Sequence, residues 1–153
     1  MRRFAETLHG VAIALWVGGL WAVGYLAVPV LFAELTDRML AGRLAGVMFT
    51  GMAWVGLACG GYLLGFLALR HGWHALRSLP FSLVVAMLLL TAVGHFGIQP
   101  VIAELKQAAW PHDVLEGALK QRFAFWHGVA SVIYLIESLL GLGLVVVQGR
   151  DRS

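Results

Sequence analysis

The chain has 153 residues, 60% of them hydrophobic and only 12% charged, with a formal net charge of +3 and a mean hydropathy of +0.83. Soluble domains run at about 45–50% apolar and about 25% charged, so a soluble globule is excluded, and a disordered chain is excluded on the same grounds. An integral membrane protein remains.

One cysteine, Cys59, rules out an internal disulfide framework, a four-Cys zinc site, a Cys-x-x-Cys redox pair and covalent c-type haem attachment. The 11 Lys and Arg form no basic run, which leaves nucleic-acid binding without support. The partner implied by the composition is the lipid bilayer.

Crossing the hydrocarbon takes about 20 mostly apolar residues, and four stretches of the sequence supply them. They run over about 8–32, 44–69, 79–99 and 123–147, the third ending at Pro100. Lipid forces each to be a helix, because unpaired backbone groups cost several kcal/mol there. The expected fold is all-α, a four-helix bundle forming a single transmembrane domain over 1–153. The first apolar run exceeds the 7–15 residues of a signal-peptide core, so it reads as a retained anchor.

Arg2, Arg3, Arg70, Arg77, Arg150 and Arg152 fall on one side, in segments nearly free of acids. Arg38, Arg43, Lys106, Lys120 and Arg122 fall on the other, among Glu34, Asp37, Glu104, Asp113 and Glu116. The positive-inside rule then places both termini in the cytoplasm and the protein in the inner membrane of the cell. The connection from Val101 to Arg122 reads as short interfacial turns broken at Pro111. Trp73, Trp110 and Trp126 fall near span ends, where indoles favour the headgroup level. His71, His74 and His112 fall in loops.

Val23-Gly24-Tyr25-Leu26-Ala27-Val28, leading to Ala33-Glu34-Leu35, is echoed by Val93-Gly94-His95-Phe96-Gly97-Ile98, leading to Ala103-Glu104-Leu105. Each ends near a proline, Pro29 or Pro100, so a two-plus-two duplication relating the first and third spans is expected. The second span is glycine-rich, with Gly46, Gly51, Gly56, Gly60, Gly61 and Gly65, and Gly42 lies one turn before Gly46. Small-xxx-small spacing permits close backbone approach, within the bundle, to another copy as a homo-oligomer, or to a membrane-complex partner.

Polar side chains inside a membrane are costly and mark function. His127, Ser131, Tyr134 and Ser138 lie within ~40° of one helical face, and Thr91, His95 and Gln99 share another. His95 and His127 fall at the same depth, roughly 6 Å below the outer boundary, with Met48, Met52, Tyr25 and Thr50 in the same zone. Two imidazoles on neighbouring helices would suit haem b, and adding the thioethers Met48 and Met52 would suit copper. The alternative for the cluster of His95, His127, Thr91, Gln99 and Ser131 is cross-helix hydrogen bonding alone. Glu137 falls near mid-span, where an ionised carboxylate is disfavoured. It serves either as a neutral structural donor or as a proton carrier in transport. His9 lies near the cytoplasmic end, apart from the outer cluster.

Leu8-His9 through Trp16-Val17-Gly18-Gly19, the Pro29 exit, Gly94 to Pro100 and Phe123-Ala124-Phe125-Trp126-His127-Gly128 resemble a bacterial family of small four-helix membrane proteins of unknown function. That family is similar to the eukaryotic transmembrane-protein-205-like group. A fainter likeness, carried by His9, Trp16 and Gly18, is to copper-resistance D-type membrane domains and to haem-binding membrane oxidases. The resemblance implies a membrane bundle, a second ligand candidate in His9 with Trp16, and no established reaction. The first span lacks the Lys or Arg of the oxidase type, so the chain reads as non-enzymatic. Three functions are open: a haem- or metal-binding cluster, a proton-coupled exporter of a small solute or metal using Glu137, and an accessory subunit of a larger complex.

Overall fold

The computed structural model describes residues 2–108 and 117–150. It contains four helices long and apolar enough to cross a membrane: α1 (Phe4–Glu34), α2 (Arg38–Arg70), α3 (Leu79–Ala108) and α4 (Gly117–Gly149). Each has 30 to 33 residues, about 45 Å at ~1.5 Å per residue. The hydrocarbon core is only about 30 Å thick, so the charged ends reach the headgroup level.

Consecutive helices pack antiparallel. Tyr62 Oη on α2 donates to Ala5 O on α1 at 3.2 Å, and Met52 of α2 lies against Gly19 of α1. Lys106 Nζ of α3 donates to Gly42 O of α2 at 3.1 Å, while Leu88 of α3 meets Gly60. Leu83 of α3 faces Gly143 of α4. The ring closes where Trp21 Nε1 on α1 donates to Ser138 O on α4 at 3.4 Å. The order around the bundle is therefore α1-α2-α3-α4, and both ends of the described chain lie at one end. Trp16, Leu63, Met87, Val84 and Leu144 fill the centre.

The connection from α1 to α2 is short because Asp37 caps α2. Its carboxylate accepts from the amides of Met39 at 2.9 Å and Leu40 at 3.0 Å, pairing two of the donors a helix start leaves open. At the other end of α2, Gly72 adopts φ 56°, a left-handed conformation that favours glycine. A short 3-10 helix, Gly72–Arg77, then leads into α3.

The helices are longer than the expected spans. The third helix does not end at Pro100 but continues to Ala108, and all four helices run past at least one of the expected boundaries. In α1 and α3 the chain passes its proline by a wide turn: π-helical segments occupy Ala22–Ala27 in α1 and Val93–Ile98 in α3. A proline ring clashes with the carbonyl four residues back and offers no N–H. In both helices the residue before the proline instead bonds five back, Val28 N to Val23 O and Gln99 N to Gly94 O. The helix thus widens at Pro29 and Pro100 and goes on, a π-bulge of the kind found at functional sites. The two π segments share one register relative to their prolines, 71 residues apart, one residue off the 70-residue spacing of the sequence echo. The expected interfacial turns around Trp110, Pro111 and His112 lie outside the described residues.

Candidate functional site: a sealed acid in the bundle centre

Glu137 is 5% exposed and sits on α4 about 18 Å from the helix end at Gly149, well inside the span. Thr91 of α3, also buried, lies with its Oγ1 2.6 Å from Glu137 Oε1 and 2.9 Å from Met87 O. The indole of Trp16, from α1 and fully buried, is a second hydrogen-bond donor to the same carboxyl group. Three helices therefore meet at one acid.

A hydroxyl has one proton, so Thr91 cannot donate to Met87 O and to an ionised Glu137 at once. A protonated Glu137 resolves this. Its O–H donates to Thr91 Oγ1, Thr91 donates to Met87 O, and the remaining carboxyl oxygen accepts from Trp16. Every group is then paired, as a dry interior requires. Removing the proton reverses the Thr91 hydroxyl and breaks its bond to its own helix. Among the described residues no cation faces Glu137 to compensate a negative charge.

Above this acid, one turn along α4, Tyr134 Oη donates to Leu20 O at 2.5 Å. Its ring lies over Gly24, where a Cβ would collide with it. Only glycine lets the π segment of α1 approach so closely. Phe49 and Tyr25 pack edge-on to the same ring, at centroid distances of 5.2 and 6.1 Å. Aligned on the prolines, Leu20 of α1 corresponds to Thr91 of α3. Equivalent positions on the two helices thus hold Tyr134 and Glu137 of α4.

Below the acid, Ile13, Val84 and Leu144 form an apolar layer, and beyond it the helices part into a cleft at the terminal end of the bundle. Glu6 and Arg70 form an ion pair of 3.4 Å there, with both side chains about half exposed (52% and 53%). His9 lines the cleft with its ring 4.6 Å from that of Phe66.

The residues expected in an outer ligand cluster are dispersed. His95 is half-buried with its ring 5.5 Å from Trp54 and 4.7 Å from Phe96. His127 is exposed and stacks on Phe123 of its own helix at 5.7 Å. No hydrogen bond or ring contact joins the two imidazoles among the described residues. Ser131 is exposed and bonds back to His127 O at 2.9 Å, and Gln99 is half-buried. The expectation that this stripe of α4 points inward holds for Tyr134 and Ser138 and fails for His127 and Ser131. Met52 is buried against Gly19, and Met48 is half-buried one turn away. Among the described residues no group of three or more His, Cys, Asp or Glu is placed to hold a metal ion.

Thr91 belongs to the acid rather than to the histidines, which spacing along one helix cannot reveal. Trp16 was singled out with His9, yet it lies two turns deeper at the acid. The glycines of α2 divide between two faces. A Cβ at Gly56 or Gly60 would come within 2.6 Å of Trp16 or Leu88, whereas Gly46, Gly51, Gly61 and Gly65 have no neighbouring atom within 4 Å.

The family described as a domain of unknown function (DUF4149) matches residues 11–111, and the chain belongs to that family. The matched region contains Trp16, Thr91 and both π segments, and stops before Glu137. No curated protein and no solved structure matches.

Proposed function

We propose that this DUF4149 protein is a proton-coupled transporter of a small solute, with Glu137 as the group that takes up and gives off the proton. The observation that carries the reading is an acid sealed at mid-membrane and bonded to a neighbouring helix, two turns from an open polar cleft. Losing the proton reverses the Thr91–Glu137 bond and frees Met87 O of α3, so protonation is linked to the bonding inside that helix. Such a linkage is what coupled transport needs from its ion site. The wide turns beside Tyr134 are where α1 and α3 would yield. Arg70 and Arg77, with the other arginines near the termini in sequence, favour an inner-membrane protein whose termini and cleft face the cytoplasm.

The test uses proteoliposomes with a pH-sensitive dye inside, challenged with a panel of small cations, anions and drug-like solutes. A solute that drives proton movement with the natural protein should drive none with Glu137→Gln. Equal proton movement with Glu137→Gln, or solute movement with no proton, overturns the reading.

A second reading keeps one observation: Nδ1 of His95 is buried and has no hydrogen-bond partner among the described residues, as a haem or copper ligand would be before binding. Absorbance and metal analysis of the purified protein, with and without added haem or Cu(I), tests it. A colourless product that takes up neither removes it.

A further inference from the structure

The cleft at the terminal end has a shape and polarity that the acid above it does not explain. It is a wide groove open along one side, with a space of about 1190 Å³. Its mouth carries one acid and one base, Glu6 and Arg70. Its floor is apolar, made by Ile13, Leu67, Val84 and Leu144. Polar mouth and apolar floor are separated by about 10 Å, the seven-residue rise from Glu6 to Ile13.

The cleft also continues sideways. A shallow slot runs on between α1 and α4, bordered by Gly10 and Ala14 on one side and Val145 and Gly149 on the other. Gly10 and Ala14 are one turn apart and present almost no side chain to the seam. Deeper in the bundle the same two helices touch, at Val17 with Gly141 and at Trp21 with Ser138. The seam is thus closed at the acid and open at the headgroup level, where the surrounding solvent is lipid.

We propose that this cleft binds one phospholipid carrying both a phosphate and a primary ammonium, of the phosphatidylethanolamine type, its chain entering between α1 and α4. The phosphate accepts from the Arg70 guanidinium and the ammonium donates to the Glu6 carboxylate, while the chain lies on Ile13, Val84 and Leu144. An acid and a base side by side complement a headgroup bearing both charges better than one bearing a single charge. A choline headgroup has no N–H to give Glu6, and a glycerol headgroup meets it with no cation. The inference rests on the cleft and not on proton cycling by Glu137.

Native mass spectrometry of the full chain, offered equimolar ethanolamine, choline and glycerol phospholipids, reads the preference directly. Ethanolamine lipid should be retained about tenfold over the others, as one charge-assisted hydrogen bond implies. Glu6→Gln should abolish the preference over choline lipid and raise retention of glycerol lipid. Arg70→Gln should lower retention of all three, and Ala14→Phe, filling the slot, should do the same with helical content unchanged. Glu6 and Arg70 are half exposed, so their variants fold and keep the test decisive even if Ala14→Phe does not. Equal retention of the three lipids by the natural protein, preference for glycerol lipid, or a preference that survives Glu6→Gln overturns the proposal.

Discussion

Two halves of one helical stripe behave differently. On α4, His127, Ser131, Tyr134 and Ser138 share a face, yet Ser138 is 1% exposed while His127 and Ser131 are exposed. The lower half is met by Leu20, Trp21 and Gly24 of α1. Among the described residues, the upper half bonds within its own helix. Period fixes the direction in which a side chain points. Whether another helix stands there depends on how the bundle splays, which no spacing along one chain records.

Substitutions in the buried and exposed halves should differ in cost. The largest effect is expected from Trp16→Ala, which empties a fully buried site touching Glu137, Gly56 and Gly60. Trp-to-Ala truncations in cores cost about 3–5 kcal/mol, measurable as reversible unfolding in mixed micelles, against less than ~0.5 kcal/mol for His127→Ala on the exposed half. Next, Gly60→Ala should cost about 1–3 kcal/mol by overpacking, since its Cβ would sit 2.6 Å from Leu88 and 2.9 Å from Trp16. Gly61→Ala, with open space around it, should be near neutral, and any large loss there would mean that a second chain covers that face.

The smallest effects concern the polar contacts. Thr91→Val removes a bond between α3 and α4, and such bonds inside membranes average about 0.6 kcal/mol. Glu137→Gln keeps a donor for Thr91 and an acceptor for Trp16, so its stability should match the natural protein within about 1 kcal/mol. Transport should nonetheless be lost. A stability loss as large as that of Trp16→Ala would instead make Glu137 purely structural.

The number and type of helices were legible because lipid admits few alternatives to an apolar helix. Their ends were not, because charged residues such as Arg38 and Lys106 extend helices into the headgroup region, and Pro100 stops nothing once a π turn precedes it. Glu137 stood out from its position alone. Its partners did not, since Thr91 shares helical spacing with His95 and was grouped with it. Counting residues gave His95 and His127 one height but not their rotation about the helix axes. The burial of Met52 against Gly19 was hidden for the same reason.

Proton coupling at this site requires Glu137 to be a protonated acid that donates to Thr91. Infrared difference spectroscopy of the purified protein at neutral pH examines this bond directly. The account predicts a protonated-carboxyl carbonyl band that disappears in Glu137→Gln and moves to higher frequency in Thr91→Val, where its hydrogen bond is lost. A neutral-pH spectrum in which that residue contributes only carboxylate bands would contradict it.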